Sequence, residues 1–338
     1  MFLFDRRDLL TDAQIEITHR CNWNCGFCYL GREKKKEMET EDVFRLLDEL
    51  YKMGCLRVNF TGGEPLIHRD ALKILHYAKS KGFICTLNTN GSLINDSNVV
   101  ELAETISDFY ISLLSFDAEK HDCIVGNKNG FANTTNALRL LKELGANVVV
   151  NTIICKQNVE NITEMKRFVE DELKCTWNPD TRIEPVQIGN VDKNREYQLS
   201  EDLLKSVLDK ISVYGKADEN GEDGFFTGLC VAARSACFID VFGDVYPCLQ
   251  FKGGYYKPEN VYKKELKTIW ESNPFFNEIR KLEREDFSKC VACGHYKKCY
   301  KCIANNYNDC RNLTIPCTER CSIEMLYAIY NTKTKGGD

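Results

Sequence analysis

The sequence predicts an α/β protein: a partial (β/α)6 TIM-like barrel followed by a C-terminal domain built around cysteines. Three observations carry this. Short apolar runs alternate with longer amphipathic ones six times in the first 190 residues, the pattern of a parallel sheet with helices outside it. Of eighteen cysteines, eight lie in residues 1–229 and ten between Cys230 and Cys321. The composition, 43% hydrophobic and 28% charged over 338 residues, supplies full cores for about two domains.

Taken in order, residues 14–18, 56–60, 83–88, 109–114, 147–154 and 182–187 read as strands, rich in Val, Ile, Phe and Leu. Between them, Thr40 precedes an apolar-periodic helix that stops near Gly54, and Asp70 opens one that stops at Gly82. Asn95 or Asp96 opens a third reaching Ala103, residues 132–144 run as a helix into Gly145, and residues 159–173 follow the next strand. Eight such units would close a barrel of about 250 residues, whereas six leave it open, with chemistry at the C-terminal strand ends. The expected boundaries are a short N-terminal extension (1–13), the barrel (14–215) and the cysteine-rich domain (216–338).

Charge and hydropathy exclude several classes. A net charge of −5 lacks the basic footprint of a nucleic-acid binder. No apolar run approaches the roughly 18 residues of a membrane helix, and the first residues do not read as a signal peptide. A cytoplasmic location is expected, and in a reducing compartment clustered thiols hold metal more often than disulfides.

The first strand runs into Thr18-His19-Arg20-Cys21-Asn22-Trp23-Asn24-Cys25-Gly26-Phe27-Cys28. Three thiolates on so short a loop can share one [4Fe–4S] cluster, which normally takes four. One iron then stays open, as a catalytic metal keeps an open position. A zinc site would need a fourth ligand, for which His19 is available. The spacing Cys-x3-Cys-x-aromatic-Cys resembles the signature of the radical S-adenosylmethionine (SAM) enzymes, at Cys21, Cys25, Phe27 and Cys28. The next strand ends in Thr61-Gly62-Gly63-Glu64-Pro65, similar to that family's Gly-Gly-Glu-Pro motif, about 35 residues on. The resemblance implies that SAM chelates the open iron and that Gly62, Gly63 and Glu64 hold its amino group, with the Glu64 carboxylate facing an ammonium. It also implies Phe27 packing on adenine, polar strand-end contacts from Asn90, Ser112 and Asn151, and backbone near Gly189 facing adenine. Asp117, His121 and Asp122 read as helix-capping residues.

The C-terminal array is Cys230, Cys237, Gly243-x4-Cys248, Cys290-x2-Cys293-x5-Cys299-x2-Cys302, then Cys310, Cys317 and Cys321. It resembles the SPASM extension of radical SAM enzymes that modify peptides and proteins, although two residues rather than three separate Cys299 from Cys302. A hairpin around Gly243-Asp244 is expected to bring Cys237 and Cys248 together. The resemblance implies two auxiliary [4Fe–4S] clusters: one on Cys230, Cys237, Cys248 and Cys302, the other on Cys290, Cys293, Cys299 and Cys321 (or Cys317). Zinc-ribbon structure is the alternative. Cys55, Cys85, Cys123, Cys155 and Cys175 are scattered and read as buried small hydrophobes, one of which could donate a hydrogen atom in an epimerisation.

The cofactors implied are thus SAM and three [4Fe–4S] clusters. The activity implied is generation of a 5′-deoxyadenosyl radical that crosslinks, oxidises or epimerises a ribosomally made peptide or protein side chain. A low-potential electron donor, flavodoxin or ferredoxin, is expected. The barrel starts by residue 14, so a separate leader-recognition protein or direct leader binding is expected; the charged run 32–37 reads first as a solvated face. A sulfatase-maturating enzyme shares the architecture but carries Cys-Asp where this chain has Cys248-Leu249. A haem-pathway decarboxylase is the other enzymatic alternative. A multi-cluster electron carrier would need neither Gly62-Gly63-Glu64 nor an open iron.

Overall fold

The computed structural model describes residues 8–30, 36–183, 194–210, 230–291 and 302–315. The strands are β1 (Asp12–Thr18), β2 (Arg57–Gly62), β3 (Ile84–Thr89), β4 (Asp108–Ser112), β5 (Val148–Ile153), β6 (Thr176–Asp180), β7 (Ala236–Ile239), β8 (Asp244–Tyr246) and β9 (Glu259–Asn260). They form one sheet in the order β6-β5-β4-β3-β2-β1-β7-β8-β9. β1 to β6 are all parallel to their neighbours, the partial barrel the alternating pattern predicts.

The helices of the first half are α1 (Thr40–Lys52), α2 (Ala71–Ser80), α3 (Val99–Thr105), α4 (Ala118–Val125), α5 (Gly130–Glu143), α6 (Ile162–Arg167) and α7 (Glu201–Lys210). α1 shows why they form where they do: Val43, Leu46, Leu47 and Leu50 recur at helical spacing and are buried. α4 starts where the Asp117 side chain accepts the Lys120 N–H at 2.9 Å.

Among the described residues, one face of the sheet is covered by helices and the other is open over β4 to β6. Phe109, Ile111, Val148, Val150 and Trp177 are buried against the helices, while the intervening Tyr110, Ser112, Asn151 and Asn178 stay partly or fully exposed. A parallel sheet covered on both faces would be apolar on both. Here the open face carries Asn59, Asn88, Asn151 and Asn178, with Asn59 donating to Thr86 at 2.7 Å and Asn178 to Asn151 at 2.8 Å.

The sixth strand differs from the expectation. It is Thr176–Asp180; Arg182 and Ile183 are not in a strand, and 184–187 lie outside the described residues. Asn178-Pro179-Asp180 reads as a turn in sequence. Yet β6 is the edge of the sheet, where a missing N–H is tolerated, and Trp177 anchors it in the core at 8% exposure.

The second half is joined to the first through the sheet itself. β7 pairs parallel to β1, with Ala13 opposite Cys237 and Ile15 opposite Ile239, and β8 returns antiparallel. The hairpin turn is held by the Asp240 carboxylate, which accepts N–H groups from Phe242 and Asp244 at 2.9 and 3.0 Å. α8 (Leu266–Ser272), α9 (Pro274–Lys281), α10 (Ser288–Val291) and α11 (Ile303–Cys310) follow. Phe251, Tyr256, Phe275, Phe276 and Tyr307 pack ring to ring beneath them.

Candidate active site

The cysteine loop leaves β1 at its C-terminal end and is fixed on three sides. Trp23 is 3% exposed and packs against α4, edge-on to His121 at 5.3 Å. Burial pushes the His121 imidazole down to about 4, keeping it neutral. Asn24 donates its N–H to the Val125 carbonyl at 2.8 Å, at the end of α4. From β3, the Asn90 side chain donates to Asn22 Oδ1 at 2.8 Å and reaches the Cys21 sulfur at 4.0 Å. The Trp23 N–H also donates to Cys21 Sγ at 3.4 Å.

The third side is the Gly62-Gly63-Glu64 segment. Gly63 N–H bonds the Thr18 carbonyl at 2.7 Å and Glu64 N–H the Arg20 carbonyl at 2.8 Å. A Cβ on Gly63 would come within 2.3 Å of the Arg20 oxygen, and one on Gly62, whose φ is +136°, within 2.1 Å of the Thr18 oxygen. The glycine pair is therefore what lets β2 lie backbone to backbone on the approach to the cysteines.

Glu64 is wholly buried. Its carboxylate accepts from Leu66 N–H at 3.1 Å, Thr89 Oγ1 at 2.8 Å and Asn90 N–H at 2.7 Å. Three of its roughly four lone-pair positions serve the chain's own donors, and one remains. It ties the end of β2 to the end of β3. Burial raises the carboxyl to about 7, against the pull of those three donors.

Of the other SAM candidates, two lie on the parallel sheet and one on the cysteine loop itself. Ser112 and Asn151 sit directly opposite each other on β4 and β5, on the open face. Phe27 is half-buried, edge-on to Tyr197 at 6.2 Å. Gly189 lies outside the described residues. Tyr197, which no local signal in the sequence marks, comes close because Gly26 has no side chain: a Cβ there would lie 1.8 Å from the Tyr197 hydroxyl oxygen. Asp117 caps α4 as expected, and Asp122 accepts the Phe131 N–H at 2.8 Å.

His19 joins a buried cluster of charged side chains through one ring nitrogen. Its Nε2 bonds Glu16 at 3.0 Å within a buried cluster that Lys252 enters from the second half. Tyr29 donates to Glu16 at 2.9 Å, and Asp240 lies 3.5 Å from the Lys252 ammonium. Burial alone would raise the Glu16 carboxyl, but His19 and Lys252 together hold it below its ordinary value. Burial raises Asp240 to about 6. Among the described residues no three His, Cys, Asp or Glu side chains close on a point that would hold a single ion. A four-iron cube makes a different demand, because each thiolate takes its own iron. Three thiols on one anchored loop, with N–H donors aimed at Cys21, suit that demand.

Of the auxiliary candidates, Cys230, Cys248 and Cys302 come together. Burial first, then the Cys230 and Cys302 thiols, push the Cys248 thiol up. Cys237 does not join them, contrary to the sequence expectation; it lies in the core, where burial and then Cys55 raise its thiol. The side chain of Cys290 and all of Cys293, Cys299, Cys317 and Cys321 lie outside the described residues. Cys55, Cys85, Cys155 and Cys175 are buried, as read; Cys123 is exposed on α4. Of the charged run, Glu37 pairs with Arg20 at 3.3 Å, and 32–35 lie outside the described residues.

A partial barrel with a three-cysteine loop at its open end, extended by a cysteine-bearing hairpin, is the architecture of an iron–sulfur enzyme. The radical SAM superfamily matches residues 15–171, and the SPASM iron–sulfur cluster-binding domain matches residues 230–302. The chain is similar to mycofactocin maturase MftC of Mycobacterium tuberculosis, 30% identical over 301 residues that cover 84% of this chain and 75% of that one. It belongs to the radical SAM superfamily and carries a SPASM domain. It is also similar to the AdoMet-dependent heme synthase of Oleidesulfovibrio alaskensis, 25% identical over 327 residues covering 86% and 82% of the two chains. In fold it resembles Streptococcus suis SuiB bound to its precursor peptide SuiA, with a TM-score of 0.68 and 23% identity over 91% of this chain and 75% of that one.

Proposed function

We propose that this radical SAM enzyme modifies a ribosomally synthesised peptide or a protein side chain. The observation that carries the reading is the amide-lined face of the sheet beyond the cysteine loop, whose described charges are paired within the chain, Glu16 with Lys252 and Asp180 with Arg182. Asn59, Asn88, Asn151 and Asn178 present donors and acceptors suited to a peptide backbone. The nearby Arg182 is already bound by Asp180 at 2.9 Å. A carboxylate-rich tetrapyrrole, the substrate class of the haem-pathway alternative, calls for cations there. The mycofactocin maturase and the peptide-bound SuiB support the same direction.

Cys21, Cys25 and Cys28 would hold the SAM-binding cluster; when bound, it supplies the electron that cleaves SAM to the 5′-deoxyadenosyl radical. The chain's own work is placement. Trp23, Asn90 and the glycine pair keep the loop in one geometry. Ser112 and Asn151 offer polar contacts to SAM from the open face, and Phe27 an apolar surface to its adenine. Cys230, Cys248 and Cys302 would hold one auxiliary cluster, and Cys290, Cys293, Cys299 and Cys321 (or Cys317) a second, making three [4Fe–4S] clusters. A flavodoxin or ferredoxin would supply electrons, and the leader would be presented by a separate protein or bound by the chain directly.

The test is anaerobic incubation with SAM, dithionite and peptides encoded beside the gene, read by mass spectrometry. Loss of two hydrogens marks crosslinking or dehydrogenation, and solvent deuterium uptake without mass loss in light water marks epimerisation. SAM cleavage stimulated by a tetrapyrrole carboxylate and by none of the peptides refutes the proposal.

A further inference from the structure

The cysteine loop is bracketed by two residues that end on one carboxylate. His19 stands two positions before Cys21, and Tyr29 directly follows Cys28. His19 Nε2 bonds Glu16 Oε2 at 3.0 Å, and the Tyr29 hydroxyl donates to Glu16 Oε1 at 2.9 Å. Each carboxylate oxygen therefore serves one end of the loop. Glu16 is itself fixed, because it lies inside β1 between Ile15 and Ile17 of the helix-covered core. Side chains alternate along a strand, so Glu16 projects to the inner face of the barrel, where it is wholly buried.

A carboxylate so buried calls for a partner charge, and here the second half of the chain supplies it. The Lys252 ammonium, on a side chain 5% exposed, bonds Glu16 Oε2. Across from Glu16 it meets the Asp240 carboxylate at 3.5 Å, the group that holds the β7–β8 turn. Phe242 of that turn packs edge-on to His19, with ring centroids 5.5 Å apart. Lys252 is fixed in its turn. It closes the 3-10 helix Leu249–Phe251, its N–H bonding the Leu249 carbonyl at 2.9 Å. That helix is tied to α11 by Asn308, which donates to the Gln250 carbonyl at 2.7 Å.

A buried ion pair by itself says little about stability. This one differs in that its anion carries both ends of a ligand loop and its cation comes from another part of the chain. On the reading that Cys21, Cys25 and Cys28 hold the SAM-binding cluster, we infer that Glu16 and Lys252 are positioning residues for that cluster. Glu16 sets the two ends of the cysteine loop, and Lys252 holds Glu16 in place. Neither has to touch SAM or iron to do so. Through this pair the geometry of the SAM-binding loop depends on the second half being folded against β1.

The test is a SAM titration of the anaerobically reconstituted, dithionite-reduced full chain, followed by electron paramagnetic resonance (EPR), with unfolding midpoints measured alongside. A pair that served stability alone would lower the midpoint on mutation and leave SAM affinity and spectrum as they are. Tyr29→Phe deletes one hydroxyl and frees one end of the loop; SAM should bind about tenfold more weakly, the worth of one hydrogen bond to a charged group. Lys252→Met leaves Glu16 without its cation and should weaken SAM binding at least as much, with an altered SAM-bound spectrum. Glu16→Gln/Lys252→Met should return both close to wild type, because glutamine can accept from Tyr29 and bond His19 with no charge to balance. Wild-type SAM affinity in either Tyr29→Phe or Lys252→Met overturns the inference. So does a double variant that folds without recovering SAM binding, which decides the matter with Tyr29→Phe if Lys252→Met does not fold. A wild-type spectrum that ignores SAM, or a response that survives alanine at Cys21, Cys25 and Cys28 together, refutes the cluster reading instead.

Discussion

Replacing Glu64 by glutamine removes a charge that the fold buries completely, and the consequence should depend on pH. The carboxyl sits at about 7 in the folded chain against an ordinary 4.5, because burial outweighs three hydrogen-bond donors. A carboxyl raised on folding contributes stability that is full below the unfolded value and lost as pH rises through the folded one. Over the whole window this amounts to roughly 3 kcal/mol. Between pH 6 and pH 8 the loss is about 1 kcal/mol. Glutamine does not titrate. It also turns an N–H toward a group that now donates, from either Leu66 or Asn90, a pH-independent cost of about 1–3 kcal/mol. Wild type should therefore exceed Glu64→Gln in stability by about 1 kcal/mol more at pH 6 than at pH 8. Anaerobic urea unfolding at pH 6, 7 and 8 measures this. A difference that is constant, or that grows with pH, refutes the assignment of an uncompensated buried carboxyl.

Gly63→Ala should displace the cysteine loop, since its Cβ would meet the Arg20 and His19 oxygens at 2.3 and 2.7 Å; the cost is about 1–3 kcal/mol, and EPR of the SAM-bound cluster should broaden or vanish. Lys252→Met leaves Glu16 and Asp240 without their shared cation and should cost about 3–5 kcal/mol, with much of it recovered in the Glu16→Gln/Lys252→Met double variant; denaturant midpoints decide. Trp23→Ala removes the buried anchor of the loop on α4 and should cost about 3–5 kcal/mol, seen in the thermal midpoint. Alanine at Cys21, Cys25 and Cys28 together should abolish SAM cleavage yet leave about two thirds of the iron, measured by iron assay and chromatography of 5′-deoxyadenosine.

Much of this protein is written locally. The periodicity of α1 and the turn at Gly243 depend on neighbours in sequence, and both are found where the sequence places them. The cysteine loop is equally legible, because its three thiols and the strand that precedes them are contiguous. β6 is the instructive miss. Thr176–Asp180 looks like a turn in sequence, and only its position at the sheet edge makes Pro179 acceptable in a strand.

What the sequence by itself determined is the class of chemistry: which thiols are clustered, which glycines leave room, and an α/β frame to carry them. What only the tertiary structure decided is which groups meet across long separations. Glu64 meets Thr89 and Asn90 at the end of β3, contacts that no spacing in the sequence marks. Lys252 reached Glu16 across 236 residues, and Tyr197 found the space above Gly26. Cys237 and Cys248 are close in sequence but lie on opposite faces, because strand pairing, not spacing, sets where a side chain points.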